Sequence, residues 1–240
     1  MAEKQAKAGI VDGTDVVERA KGFWAAYSKK IIIVGSVVIV LLGGYLGYKY
    51  MFKLPAEKKA SELIFPAEKL FGKMASESSY GKDTVSMVLN GDKAQGITGL
   101  LKIIGSYGST PAGNRAEYMA GACYLQLKQF DKAIKHLKEF DGNGAEQIQS
   151  KAYIMLGHAY SEEKKTDEAL SYYKKAATAA EGDEGMASEA LFMAGRYADA
   201  IGKTKDAIEL FQKINDKYPA SQRAKSGDAD KYLARLGVIK

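Results

Sequence analysis

The sequence predicts an all-α protein: a single transmembrane helix followed by an α-solenoid of about three to four helical hairpins, closed by a C-terminal capping helix. Three observations predict it. From Ile31 to Tyr48 the chain runs for 18 residues without a charge, mostly Ile, Val and Leu. Further on, a glycine is followed twelve residues later by an alanine three times: Gly121 and Ala133, Gly157 and Ala169, Gly195 and Ala207. Finally, four prolines and a bias to Ala, Lys, Glu and Tyr favour helix, and no segment shows the sustained alternation of a strand.

Composition narrows the function classes. With 46% hydrophobic residues in 240, a core is available and wholesale disorder is excluded. The net charge of +6 is uneven: residues 1–53 carry +4, and the remaining 187 only about +2. That remainder gives no electrostatic footprint for nucleic acid. Cys123 is the only cysteine, so an intramolecular disulfide and a cysteine-built metal site are excluded.

Taken in order, residues 1–30 read as a cytoplasmic tail with an amphipathic helix over 14–27. Asp15 and Glu18 have capping-box spacing there. Val16, Val17, Ala20, Phe23, Trp24 and Tyr27 fall on one face, and with Trp24 close to the span the helix is expected to lie in the interfacial plane.

Residues 31–52 form the transmembrane helix. Its 18-residue core is about 27 Å long, close to the hydrocarbon thickness of a bilayer. Tyr45, Tyr48 and Tyr50 mark one interface, and Lys29-Lys30 and Lys49/Lys53 bracket the run. A cleaved signal peptide fits badly: the run is too long, and no small-x-small site follows. Flanking lysines and arginines nearly tie, so orientation rests on architecture. A short tail stays inside while the long domain is translocated, giving N-in and C-out. Gly43 and Gly47 form a small-xxx-small pair suited to packing on another membrane helix.

Residues 53–79 read as an amphipathic connecting helix, with Ala60, Leu63, Ile64, Ala67, Leu70, Phe71 and Met74 at helical spacing and Pro66 inside it. The repeat domain then covers 80–240. A worn repeat occupies 80–113, and clear ones 114–149, 150–187 and 188–221. A final helix at 224–236 caps the open end. The glycine anchors stand 36 and then 38 residues apart, the period of stacked helical hairpins. Glycine lets two helices approach closely, and Tyr124 and Tyr160, three residues after their glycines, are expected to fill the gap beside it. Each alanine is followed four residues later by a bulky side chain: Leu137, Tyr173 or Phe211.

Motifs that carry chemistry do not emerge. His136 and His158 sit on different repeats, and neither has a Cys, Asp or Glu at metal-ligand spacing. Gly91 to Gly96 lacks the Gly-Lys-Ser/Thr ending of a phosphate loop, and no nucleophile elbow appears. An enzyme with an unrecognised site is therefore the weaker reading, and neither cofactor, metal nor small-molecule substrate is implied. Solenoids bind on the concave face lined by the first helix of each hairpin. At i, i+4, i+7 spacing that face takes Tyr118, Ala122 and Leu125, then Ile154, His158 and Ser161, then Phe192, Arg196 and Asp199. Tyr118, Leu125, Ile154, His158, Phe192 and Arg196 are the candidate protein-binding groove. Ile154 and Phe192 also fit an ordinary core.

The repeat period, the small anchors and Pro219 closing the third copy resemble the tetratricopeptide repeat (TPR). The whole layout is similar to that of the YfgM-type membrane-anchored TPR proteins of bacteria. That resemblance is carried by the lysine-flanked span at 29–49, Leu89-Asn90-Gly91-Asp92, Ile103-Ile104 with Tyr107-Gly108-Ser109-Thr110, and the stretch from Asn114 to Tyr124, in a form like that of Bacteroidota. It implies an ancillary subunit of the SecYEG translocon in the inner membrane, with its repeats in the periplasm. It also implies protein partners: the translocon, a membrane-anchored prolyl isomerase, or periplasmic clients. An adaptor of another envelope assembly or secretion complex is the alternative.

Overall fold

A computed structural model of the chain describes residues 13–76 and 81–238. Residues 1–12 of the expected tail, residues 77–80 with the expected repeat start at Tyr80, and residues 239–240 lie outside these, as does the side chain of Asp15. Two compact units divide the chain, Met1–Pro55 and Ala56–Lys240. The architecture is all-α.

In the first unit, α1 (Gly13–Tyr48) is one helix of 36 residues, followed by a π-helical turn at Lys49–Lys53. At 1.5 Å per residue α1 is about 54 Å long. Its most apolar 18-residue window has a mean hydropathy of 2.3 and no buried residue, so it is long and apolar enough to cross a membrane. Residues 14–27 and the apolar stretch share one continuous helical backbone. The aromatic face itself is present: Phe23 and Tyr27 rings lie 4.9 Å apart, and Trp24 is exposed.

From Ala56 on, α2 (Leu54–Ser76) belongs to the second unit; it holds Pro66 and buries Ala60, Ile64 and Ala67 at helical spacing. α3 (Lys82–Asn90) and α4 (Leu100–Tyr107) follow, separated by a small antiparallel pair, β1 (Gly91–Asp92) and β2 (Ile97–Thr98). Two-residue strands carry no alternation, which is why the sequence shows none. The Asp92 carboxylate shapes the turn by accepting the Ala94 N–H at 2.8 Å and the Gln95 N–H at 3.3 Å.

Three helical hairpins form the body: α5 (Pro111–Gln126) with α6 (Phe130–Glu139), α7 (Glu146–Glu162) with α8 (Thr166–Ala179), and α9 (Glu184–Ala200) with α10 (Thr204–Lys217). Side-chain caps start two of them, where Thr110 Oγ1 accepts the Gly113 N–H at 3.1 Å and Asp183 Oδ1 accepts the Met186 N–H at 3.0 Å. Each hairpin turns in the same way. Lys128, Lys164 and Gly202 take left-handed φ of 57°, 60° and 77°. The next residue's N–H then returns to a carbonyl five back: Gln129 to Tyr124, Lys165 to Tyr160, and Lys203 to Ala198, at 2.8–2.9 Å.

The glycine anchors mark where the two helices of a hairpin meet. A Cβ on Gly121 would stand 2.5 Å from Leu137, one on Gly157 2.6 Å from Tyr173, and one on Gly195 2.8 Å from Phe211. The groups over the glycines are thus the bulky residues after each alanine. Tyr124 and Tyr160 instead stack on His136 and Tyr172, with centroids 5.3 Å apart in both cases. Both rings cross the hairpin seam, each onto the residue just before the bulky side chain that covers the glycine.

Neighbouring first helices contact each other, α5 with α7 and α7 with α9, and each also packs on the second helix before it. Within the middle hairpin Ser150 Oγ donates to the Ala176 carbonyl at 2.9 Å, and Gln147 Nε2 donates to Asp183 at the start of the next at 2.8 Å. The capping segment is two helices, α11 (Gln222–Lys225) and α12 (Asp228–Arg235), broken at left-handed Gly227. Tyr232 of α12 stacks on Phe211 at 4.7 Å. Arg223 of α11 forks onto Glu189 of α9 at 2.7 and 2.9 Å and reaches Asp228 at 3.0 Å.

Candidate protein-binding surface

The predicted groove residues separate into three groups. Tyr118 is half-buried with its ring 5.2 Å from Phe140, and burial pushes its phenol pKa up. Leu125 and Ile154 are half-buried against the core. Phe192 is only 5% exposed, enclosed by Phe211 at 5.7 Å and Tyr232 at 5.4 Å, with the Arg223 guanidinium 4.2 Å over its ring. Phe192 is therefore a core residue and does not line an open face. The cap supplies Tyr232 and Arg223, which are remote in sequence.

The middle positions of the second and third triplets are different. His158 and Arg196 are exposed. The His158 ring meets Tyr173 edge-on, with Nδ1 3.0 Å from the phenol oxygen, and this local loss of water lowers its pKa. The Tyr173 ring continues to Tyr197 of α9 at 5.1 Å, so one tyrosine joins the first helices of two hairpins. Arg196 has no ion-pair partner among the described residues. Asp199, by contrast, is taken up by Arg235 of the cap. Of the six groove residues, His158 and Arg196 are the polar groups left for a partner, with Tyr118, Leu125 and Ile154 presenting only edges.

Among the described residues nothing lies within 4 Å of a Cβ built at Gly43 or Gly47. Cys123 is buried, and desolvation pushes its thiol up to about 12. His136 Nδ1 sits 2.6 Å from the Glu117 carboxylate under the Tyr124 ring, a packed pair between α5 and α6. No cluster of three or more His, Cys, Asp or Glu able to hold a metal occurs among the described residues.

Sequence reasoning overlooked an aromatic group on the other side of α7: Tyr153, Tyr160 and Tyr172, with Lys138 and Lys175 over the rings. Its signal was the seven-residue spacing of Tyr153 and Tyr160, two turns along one helix face.

Comparison with known proteins gives one family. The family described as "Tetratricopeptide repeat-like domain" matches residues 21–226, a stretch that takes in the apolar helix as well as the hairpins. No curated protein matches the chain.

Proposed function

The chain belongs to the tetratricopeptide repeat-like family, and from that premise we propose that it is a membrane-tethered protein-binding scaffold, an accessory of the Sec translocon on the periplasmic side of the bacterial inner membrane. The carrying observation is the combination in one chain of an apolar helix with no buried residue in its central window and three stacked hairpins. Residues 1–30 are then the cytoplasmic tail, 31–52 the span, 53–79 the connecting helix and 80–240 the repeats. The translocon assignment is supported by the resemblance carried by the 29–49 span, the Leu89–Asp92 stretch and the Asn114–Tyr124 stretch. Secreted or envelope clients, SecYEG itself and a membrane-anchored prolyl isomerase are the partners that reading implies.

Physical chemistry favours a tether for such a scaffold. A short segment held by His158, Arg196 and the edges of Tyr118, Leu125 and Ile154 would bind weakly, with Kd on the order of micromolar, or about −8 kcal/mol. Confinement to the membrane raises the effective concentration of a membrane-bound partner without any new contact.

Affinity purification in mild detergent with mass spectrometry tests the reading. SecYEG subunits are expected with the wild-type chain. Loss with His158→Ala/Arg196→Ala assigns the contact to the repeats; loss only with Gly43→Leu/Gly47→Leu assigns it to the span, leaving the repeats as a spacer. Recovery of a different envelope assembly with no translocon subunit would replace the Sec reading by the adaptor reading.

A further inference from the structure

α6 and α8 both pack on α7, and an open furrow runs between them. Its floor is aromatic. Tyr160 and Tyr172 stack at 5.3 Å with 8° between planes, and Tyr153 lies 5.9 Å from Tyr172. Lys138 holds its ammonium 5.4 Å over Tyr160, and Lys175 holds its own 4.6 Å over Tyr172. Neither lysine has a carboxylate at ion-pair distance among the described residues. Open depressions of about 380 and 520 Å³ adjoin here and share Gln149, Tyr153 and Lys175.

The other repeats show that the fold does not demand this arrangement. One repeat later the three tyrosine positions are Leu191, Ala198 and Leu210, and Lys174, which stands where Lys138 does, is paired with Asp206 at 2.6 Å. One repeat earlier the positions hold Glu117, Tyr124 and His136. The ring stack recurs there with 11° between planes, and Glu117 supplies a carboxylate 2.6 Å from the His136 ring. The earlier stack carries one cation, Lys132 at 5.3 Å over Tyr124; the middle furrow keeps the stack, has a lysine over each of its two rings, and has Tyr153 where the earlier repeat has its carboxylate.

We infer that this furrow binds an acidic segment of a partner protein, with carboxylates on Lys138 and Lys175 and an apolar side chain on the faces of Tyr153 and Tyr172. A lysine held over a ring keeps its charge, and a partly shielded site strengthens its hydrogen bond to a carboxylate. A flat anionic membrane suits the place less well, because the floor is recessed between two helices; Glu139 and Asp141 also line it, so an incoming carboxylate is drawn by the two ammonium groups and not by the net charge of the furrow. The furrow shares no residue with the His158 and Arg196 surface, so it stands or falls separately from the function proposed above.

Fluorescence anisotropy with the full chain in detergent micelles tests it. The probe is a fluorescein-labelled peptide with glutamates on both sides of a Phe-Leu core, and the control is the same peptide with glutamines. The glutamate peptide is expected to bind and the glutamine peptide not to. Lys138→Glu/Lys175→Glu should weaken binding by about tenfold or more, equivalent to about 1.4 kcal/mol. Tyr172→Leu should weaken it too, and Lys213→Glu, the counterpart of Lys175 one repeat on, should not. Circular dichroism checks the fold, with Lys138→Gln/Lys175→Gln as the milder pair. Absence of binding, equal binding of both peptides, or full binding by the lysine variants overturns the inference. Lysine-dependent capture of phosphatidylglycerol vesicles without peptide binding overturns it in favour of a lipid site.

Discussion

Gly157 of α7 lies directly under the ring of Tyr173 of α8: a Cβ at Gly157 would stand 2.6 Å from Cε1 and 2.7 Å from Cδ1. Helix formation alone favours alanine over glycine, so the glycine is held there by the contact. Gly157→Ala is expected to destabilise the repeat domain by about 1–3 kcal/mol through overpacking. Gly105→Ala, where nothing lies within 4 Å of the added Cβ, should stabilise by about 0.5–1 kcal/mol. Thermal unfolding of the full chain in micelles separates the two by the sign of the Tm shift.

The hairpin turns give a second stability prediction. Lys128 and Lys164 occupy the left-handed conformation that Gly202 occupies in the third hairpin. An L-residue with a side chain pays about 1–2 kcal/mol there. Lys128→Gly and Lys164→Gly should therefore each raise stability by about 1 kcal/mol, and Gly202→Lys should lower it by a similar amount. Chemical denaturation midpoints check all three.

These examples show what the sequence made legible. The glycine–alanine interval was readable because close approach of two helices leaves room for only a few residue types, and that constraint repeats with the period. Which side chain covers the glycine was harder, since Tyr124 and Leu137 both cross the α5–α6 seam and only helix phase puts Leu137 over Gly121. Burial of Phe192 was hidden because Tyr232 and Arg223, which enclose it, lie far along the chain. The α11–α12 break falls at Gly227, yet a lone glycine in a helical pattern is often tolerated. For the surface, helical spacing placed His158 and Arg196 on one face with the buried Phe192 and did not separate them, while the furrow of Tyr153 and Tyr172 depends on α6 and α8 standing apart.

Cys123 offers a chemical check on the packing. It is fully buried on α5, and desolvation pushes its thiol up to about 12, far from the thiolate that reacts. Ellman's reagent at neutral pH should leave the native chain unmodified and titrate one thiol in denaturant. Rapid reaction of the folded protein would show that the packing around α5 is open.

Acid stability follows from a tie between α8 and α10. Lys174 Nζ lies 2.6 Å from Asp206, and that hydrogen bond is the main cause holding the aspartate below its ordinary value of 3.8. A lowered folded-state pKa contributes stability above the ordinary value and loses it as pH falls through the lowered one. Glu181 and Asp228 shift the same way, so a comparison of variants is needed. Asp206→Asn should be less stable than wild type at pH 7, with the difference shrinking below about pH 4. A difference unchanged by pH would show that the Lys174 contact is not formed in solution.

Protease treatment of spheroplasts tests most directly whether the repeats are a scaffold held outside the cytoplasm by one span. With tags at both ends, protease should remove the C-terminal tag and digest the repeats of 80–240, leaving a membrane-embedded fragment that keeps its N-terminal tag. Intact repeats in spheroplasts that are digested only after lysis would contradict the N-in, C-out tether, and release of the whole chain by alkaline carbonate would contradict the span itself.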